Sequence, residues 1–447
     1  MLKKIILLSA FAVSCMGLYA QDASQIVQRH SQEDTTTIEN LKLSLKEAKE
    51  YASEHNVNFK KTQNAVKDAL YTKREAIASY IPQIDANLNY NNYLGASMSM
   101  SLAPGATTSI KFNPTSTFTL QASQLLFNGN AMVGIMLGKI AQEMAEISQE
   151  NAALTLKDQV SRSYYTILLS ETTKKILIQN LSDIKDIAAK TQAMADAGAL
   201  EQTDADQLLV QVNLLENMIQ NSDRNTELGY NLLKLQLGTN IKSTVTLTES
   251  IENLLNNTND AEILIKPYLV EEDPMYRMAE GAQRISEKQH LMSVMNALPT
   301  VSAFYNFNGK ILKPAFDMSP KNVVGLQASV PIFKGLKNTN TFRKTKLAKE
   351  NAAMDLTFAN DQLLTSEKQY RYNLKTALEQ YATQKMNVDV ALRVFKSIEL
   401  KYDQGVKSSL DLTTANSNYL QAQTDYLGAV MQVLEARTAL EKLLGIL

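Results

Sequence analysis

Thr117-Phe-Thr-Leu-Gln-Ala-Ser-Gln-Leu-Leu-Phe127-Asn-Gly129 is the stretch on which the fold turns. Phe118, Leu120 and Ala122 alternate with Thr117, Thr119, Gln121 and Ser123, so the segment reads as a strand with one apolar and one wet face. About two hundred residues later the chain repeats itself: Leu120-Gln-Ala-Ser123 and Phe127-Asn-Gly129 return as Leu326-Gln-Ala-Ser329 and Phe333-Lys-Gly335. Ile81-Pro82 likewise returns as Leu298-Pro299, Gly198 with Asp204 as Gly405 with Asp411, and Leu237-Gly238 as Leu444-Gly445. A period this long is too large for a solenoid unit, which leaves a duplicated half-molecule.

Each copy carries two strands of about ten residues, the length a tilted membrane strand needs. Ile84, Ala86, Leu88 and Tyr90 alternate with Gln83, Asp85, Asn87, Asn89 and Asn91; Val301, Ala303 and Tyr305 alternate with Ser302 and Asn306. The expected strands cover about 83–94, 115–127, 300–309 and 322–333, with polar loops at 95–115 and 309–321. Pro82, Pro299 and Pro331, with Gly129 and Gly335, mark the strand–helix junctions.

All nine prolines fall between Pro82 and Pro114 or between Pro267 and Pro331. The stretches between and after them are rich in helix formers, and nothing there interrupts helices from about 131 to 197 and 338 to 403. At 1.5 Å per residue each reaches roughly 100 Å. Tyr419, Tyr426, Val433 and Leu440 recur every seven residues, the spacing of a coiled-coil seam. Each half therefore holds a long helix, a turn at Gly198 or Gly405, and a returning helix. Ser44 with Glu47 fits a capping box, opening a helix expected to continue to about Tyr80. The predicted divisions are a 41–238 repeat, an irregular 239–272 connector and a 273–447 repeat.

Residues 1–20, with Lys3, Lys4, an apolar run from Ile5 to Val13 and Tyr19-Ala20, read as an export signal, followed by a polar segment over 21–40. The single cysteine, Cys15, lies inside that signal; acylation at Cys15 is the alternative to cleavage after Ala20. The 45 basic and 46 acidic residues nearly balance, which gives no footprint for nucleic acid. No later apolar run reaches the length of a membrane helix.

His30, His55 and His290 are far apart, and no phosphate loop or nucleophile elbow occurs, so neither an enzyme nor a cofactor or metal site is expected. Four strands cannot close a barrel, and an open edge in lipid leaves backbone groups unpaired at several kcal/mol each. Several chains must share one barrel, and strand arithmetic alone leaves two or three open.

Leu43-Ser-Leu45 with Glu47-Ala48, the Pro82 and Pro299 junctions, Val330-Pro-Ile-Phe333 with Gly335, and the Gly198 and Gly405 turns together resemble the TolC-like outer-membrane efflux proteins, over about residues 40–447. The resemblance implies a mixed α and β fold: a homotrimer with a twelve-stranded transmembrane β-barrel, four strands per chain, continuous with a long periplasmic α-helical barrel of coiled-coil hairpins. It implies an exit duct for tripartite efflux or type I secretion, partnered by a periplasmic adaptor and an inner-membrane pump of RND, ABC or MFS type. The tips Gly198, Ala199, Gly405 and Val406 would dock the adaptor. A periplasmic gate would join Tyr402 and Lys407 to Asp204 and Thr203, with Asp411 ringing the constriction and Thr414 where a second aspartate would stand. Lys407 lacks the fork of an arginine, so its link should be looser. On the residues alone the two glycines also suit ordinary helix C-caps, and Asp204 and Asp411 suit helix starts. Tyr93, Phe112, Phe127, Phe307, Phe316 and Phe333 fit a membrane-interface girdle. The alternative function is a periplasmic helical-hairpin adaptor with a small soluble β-domain.

Overall fold

The computed structural model describes residues 38–103, 106–256, 260–312 and 319–447. The signal, Cys15, His30, Phe316 and nearly all of the polar N-terminal segment lie outside them. The elements run β1 (Asn40–Leu43), α1 (Leu45–His55), α2 (Val57–Ala78), β2 (Gln83–Asn91), β3 (Ser97–Ala103), β4 (Ala106–Lys111), β5 (Thr115–Phe127), α3 (Gly129–Asp196) and α4 (Gln202–Leu237). There follow β6 (Thr244–Leu247), α5 (Ile251–Asn256), α6 (Asp260–Ile265), a 3₁₀ turn, α7 (Pro274–Met295), β7 (Thr300–Leu312), β8 (Asn322–Ser329), α8 (Lys337–Asp403) and α9 (Ser409–Leu443). The chain divides into two compact units.

The unit of residues 61–152 and 268–367 contains an antiparallel sheet of order β2-β5-β7-β8. Its register carries each period-two pattern across all four strands. Ile84, Ala122, Tyr305 and Val324 form one row, and Asp85, Gln121, Asn306 and Val323 the next. One face is therefore predominantly apolar and the other rich in amides and hydroxyls, with Thr119 donating to Asn308 at 3.1 Å. Phe304 lies on the wet face opposite Gly325, where an added Cβ would come within 2.6 Å of the ring. Glycine is required there by close approach, not by its backbone angles.

Two expectations for this unit need correction. Residues 95–115 hold a hairpin, β3 with β4, in its own two-stranded sheet. Met98, Met100 and Leu102 do alternate with Ser97, Ser99 and Ser101, but the polar β4 has no such pattern, and the segment reads as a loop on its small and polar composition. The fourth strand stops at Ser329, short of residue 333. Pro331 has no N–H to continue a ladder.

The other unit, of residues up to Lys60, 153–267 and 368–447, is mainly helical. Ser44 and Glu47 form the capping box at the start of α1. The helix does not continue to Tyr80: it breaks at Asn56, whose ψ is 123°. Asn56 donates its side-chain amide to the Gln236 carbonyl at 2.7 Å and accepts from the Phe59 N–H at 2.9 Å, so it ends one helix and caps the next. Gly238 packs so closely on the His55 carbonyl that a Cβ would lie 2.4 Å away. The connector is also more regular than expected. It contains β6, α5 and α6, and β6 pairs in parallel with β1, Asn40 opposite Thr244. A pair so remote in sequence leaves no local signal.

α3 and α4 lie side by side, tied by ion pairs Lys174–Asp223 and Lys185–Glu216. One core joins Tyr164, Ile167, Leu233, Leu237, Val430 and Leu434; another, nearer the turns, joins Ile184, Ile187, Leu208, Val212, Leu412 and Leu420. Fully burying a side chain of this size contributes about 1.5–3 kcal/mol, enough to hold helices whose isolated stability is small. Arg437 on α9 is buried and fork-bonded to Asp260 at 2.6 and 2.8 Å, with a third bond to the Leu254 carbonyl at 2.9 Å.

Candidate functional site

The two long helices end in the same way. Gly198 and Gly405 both have φ of 72°, the left-handed region that costs a side chain energy and glycine almost none. At the first, Ala199 N–H reaches back to the Met194 carbonyl and Gly198 to Ala195; at the second, Val406 reaches Lys401 and Gly405 reaches Tyr402. These are paired Schellman bonds, which satisfy the last carbonyls and turn the chain within a few residues. Ala199, Val406 and Leu410 are exposed.

The first residues of the two returning helices differ. α9 starts with a capping box: Ser408 accepts from the Asp411 N–H at 3.2 Å, and the Asp411 carboxylate accepts from the Ser408 N–H at 3.2 Å. That N–H, the Ser408 hydroxyl and the Lys407 ammonium hold the Asp411 carboxyl below the usual carboxylate range. α4 starts at Glu201 without a side-chain cap.

The expected gate residues come together at this end, but with different partners. Tyr402 is bonded to Thr191 at 2.6 Å, and Thr191 in turn donates to the Ile187 carbonyl. Asp204 accepts from the buried Ser409 hydroxyl, which also lies 3.1 Å from the Gln207 side-chain oxygen. Lys407 pairs with Asp411 of its own hairpin at 3.3 Å, and Thr203 donates to Glu201 at 3.1 Å. Among the described residues of one chain, neither Tyr402 nor Lys407 is bonded to Asp204 or Thr203. Thr191, Gln207 and Ser409 carry the contacts between hairpins and were not singled out in the sequence. Ser409 follows the tip by four residues, a position that helix-start rules explain without a partner.

Deeper along the hairpins, Asn180 donates to Gln423 at 3.2 Å between α3 and α9, and Phe395 stacks on Tyr419 with centroids 5.9 Å apart. Burial raises the Glu399 carboxyl, and Asp403 and Asp183 raise it further. Among the described residues no group of His, Cys, Asp and Glu could hold a metal ion, and no helix is long and apolar enough to cross a membrane.

The junction residues serve the sheet. Gly129, at the start of α3, has no room for a side chain, because a Cβ would lie 2.7 Å from the Cβ of Met295. Gly335 instead has φ of 57°, so the two repeat glycines have different physical grounds. Pro82 and Pro299 stand just before β2 and β7, and Pro331 just after β8. Tyr93 and Phe112 meet beside the β3–β4 hairpin with centroids 5.6 Å apart, and Phe333 is exposed.

The model of the outer membrane efflux protein family matches residues 50–236 and 298–446. No curated protein matches the sequence. Among solved structures, VceC from Vibrio cholerae, an outer membrane protein, is 14% identical with a TM-score of 0.73, covering 90% of this chain and 96% of its own. The CmeC outer membrane channel of Campylobacter jejuni is 17% identical with a TM-score of 0.71, covering 90% and 85%. The open state of the Neisseria gonorrhoeae MtrE outer membrane channel is 15% identical with a TM-score of 0.70, covering 92% and 93%. These likenesses show the fold, and nothing in them supports the alternative of a periplasmic adaptor. The family match spans both helical hairpins and most of the two repeats, so this chain belongs to the outer membrane efflux proteins, a family of transport ducts and not of enzymes.

Proposed function

We propose that three copies of the chain form one closed twelve-stranded barrel in the outer membrane, with their helical hairpins making a periplasmic tunnel. The observation that carries this reading is the sheet: four strands with one apolar face, one amide-rich face, and open edges at β2 and β8. Ile84, Leu88, Val324 and Leu326 are strongly exposed on the apolar face, which suits lipid; the wet face suits a water-filled lumen. Closure would pair β8 of one copy with β2 of the next and leave no unpaired edge in hydrocarbon. Eight strands would leave a lumen filled by side chains, whereas twelve leave room for water.

The duct would passively conduct cargo delivered by an inner-membrane pump through a periplasmic adaptor seated on the tips at Gly198, Ala199, Gly405 and Val406. Its gate would lie at the same end, among Thr203, Asp204, Tyr402, Lys407 and Asp411. The closing bonds in this reading are Tyr402 to Thr191 and Ser409 to Asp204 and Gln207, because these join one hairpin to the other. Lys407 acts within its own hairpin by holding Asp411. The three Asp411 carboxylates would ring the mouth and favour cations.

The stoichiometry can be tested with Leu88→Cys and Val324→Cys in one chain, both on the exposed apolar face, with membrane fractionation and a short bismaleimide cross-linker. A detergent-requiring ladder ending at three copies is expected. A ladder ending at two, or a freely soluble protein, overturns the barrel.

A further inference from the structure

Along α9, the positions four residues after the seam residues Leu412, Tyr419, Tyr426 and Val433 are Asn416, Gln423, Val430 and Arg437. Three of the four are polar, and their satisfaction changes along the helix. Arg437, farthest from the tip, is fork-bonded to Asp260. Gln423 accepts from Asn180 across the seam at 3.2 Å. Asn416, nearest the tip, is 0% exposed, and neither its carboxamide oxygen nor its nitrogen has a hydrogen-bond partner.

The reason lies in what faces it. α3 runs toward the tip and α9 away from it, so one heptad beyond the Asn180–Gln423 pair Asn416 comes level with Ile187. Ile187 belongs to the apolar cluster that also buries Ile184, Leu208, Leu412 and Ala415. No polar partner is supplied there. A buried amide left unpaired is more costly than the same seam filled by an apolar side chain, because the amide loses its water and gains nothing. Buried asparagines in coiled coils that fix register do so through a partner across the seam, and this one has none.

We infer that Asn416 is a built-in weakness in the second hairpin, lowering the stability of the tip-proximal seam so that it can come apart while the rest of the hairpin stays packed. The position suits that role. It lies two turns inside the Ser409 and Tyr402 contacts, where separation of the tips first exposes the seam to water, and hydration of Asn416 then offsets part of the lost packing. The stabilising Gln423 and Arg437 contacts begin deeper and limit how far the separation spreads. This inference rests on the proposal that the tips are the gate, but its central claim concerns local stability and can be read without transport.

The test is a two-by-two set in the purified full-length protein: wild type, Asn416→Leu, Ile187→Asn, and both together. Hydrogen exchange of residues 409–423 reports the seam, and single-channel conductance in planar bilayers reports the mouth. Asn416→Leu removes the unpaired amide and should slow exchange there by about tenfold. Ile187→Asn loses the packing of a buried isoleucine in either background; it should speed exchange less where Asn416 is present to pair with it than in the Asn416→Leu background, where the new amide is stranded. That inequality reports the missing partner. Unchanged exchange in Asn416→Leu, or an equal effect of Ile187→Asn in both backgrounds, overturns the inference. Slowed exchange in Asn416→Leu with this inequality and a lower conductance supports it together with the gate. The same exchange pattern with unchanged conductance still supports the weak seam, and removes the tip as the gate.

Discussion

The two hairpins have nearly the same plan, but their long helices differ greatly in burial. α3 and α4 have 68 and 36 residues, α8 and α9 have 67 and 35, and both turns use a glycine at the same angle. Yet α3 buries a succession of large side chains from Val133 to Ile187, whereas the whole of α8 buries only Leu374, Ala377 and Phe395. α8 is not short of apolar residues: Phe358, Tyr372, Met386 and Leu400, fourteen residues apart, all lie exposed. Fourteen is two heptads, so they keep to one seam of the helix. A seam of that kind without a partner in its own chain is what the proposed trimer would cover. The contrast thus belongs to the long helices: α3 is packed by the chain's own folding, whereas α8 leaves a seam for the proposed assembly and α9 is buried along its length.

Two tyrosines give the sharpest way to break this contrast. Tyr164 on α3 is 0% exposed and bonded to the Leu43 carbonyl at 3.1 Å, and Tyr164→Ala should cost about 3–5 kcal/mol, the range of large core truncations. Tyr372 on α8 is 66% exposed, and Tyr372→Ala should change monomer stability by no more than about 0.5 kcal/mol. It should instead lower the yield of trimer. Urea titration and native mass spectrometry read the two effects separately, and equal loss of monomer stability would erase the contrast.

The next largest effect concerns how the second hairpin is anchored. Asp260→Ala leaves the buried Arg437 guanidinium without its carboxylate, and about 3 kcal/mol of stability should go with it. Asp260→Asn keeps part of the hydrogen bonding and should cost less. Differential scanning calorimetry decides; a loss below about 1 kcal/mol, the level of a surface ion pair, would make the anchor ornamental.

At the tips the expected effects are smaller. Tyr402→Phe and Ser409→Ala each remove side-chain bonding between hairpins, at about 1 kcal/mol, which would be several-fold in the open-to-closed ratio of the proposed gate. The pair together should raise conductance by more than Tyr402→Phe with Lys407→Ser, since Lys407 bonds inside its own hairpin. The reverse order would restore Lys407 as the principal link.

The smallest effect is one of pH. The Asp411 carboxyl is held below its ordinary value in the folded tip, so its contribution is present above the unfolded value near 4 and is lost as pH falls through the lower folded value. The Gly405 tip should therefore fray in acid before the Gly198 tip, whose returning helix has no such cap. Hydrogen exchange between about pH 5 and pH 2.5 would show it, after correction for intrinsic exchange rates, and Asp411→Asn should abolish the dependence.

What was legible beforehand was whatever a short window contains. The alternation from Phe118 to Ala122 set a strand and its faces, Gly198 and Gly405 set the turns, and Ser44 with Glu47 set a helix start. The break at Asn56 was not legible, because its partner is the Gln236 carbonyl 180 positions away. The tip contacts failed for a related reason. The resemblance singled out Tyr402, Asp204 and Lys407, which the fold brings to one end, but a hydroxyl such as Ser409 or Thr191 bonds whatever the fold brings to it, and its identity in sequence announces no partner.

The pairing of β1 with β6 has a consequence in time. Asn40 cannot meet Thr244 until the whole first hairpin has been synthesised and has folded back on itself. Contacts of such sequence separation slow folding, because the loop must close before the pairing rewards it. β1 thus settles only after the first hairpin, and for the time it takes to make two hundred residues its strand edge stands open to other chains. The interval before that closure is therefore one in which the open edge invites aggregation and proteolysis.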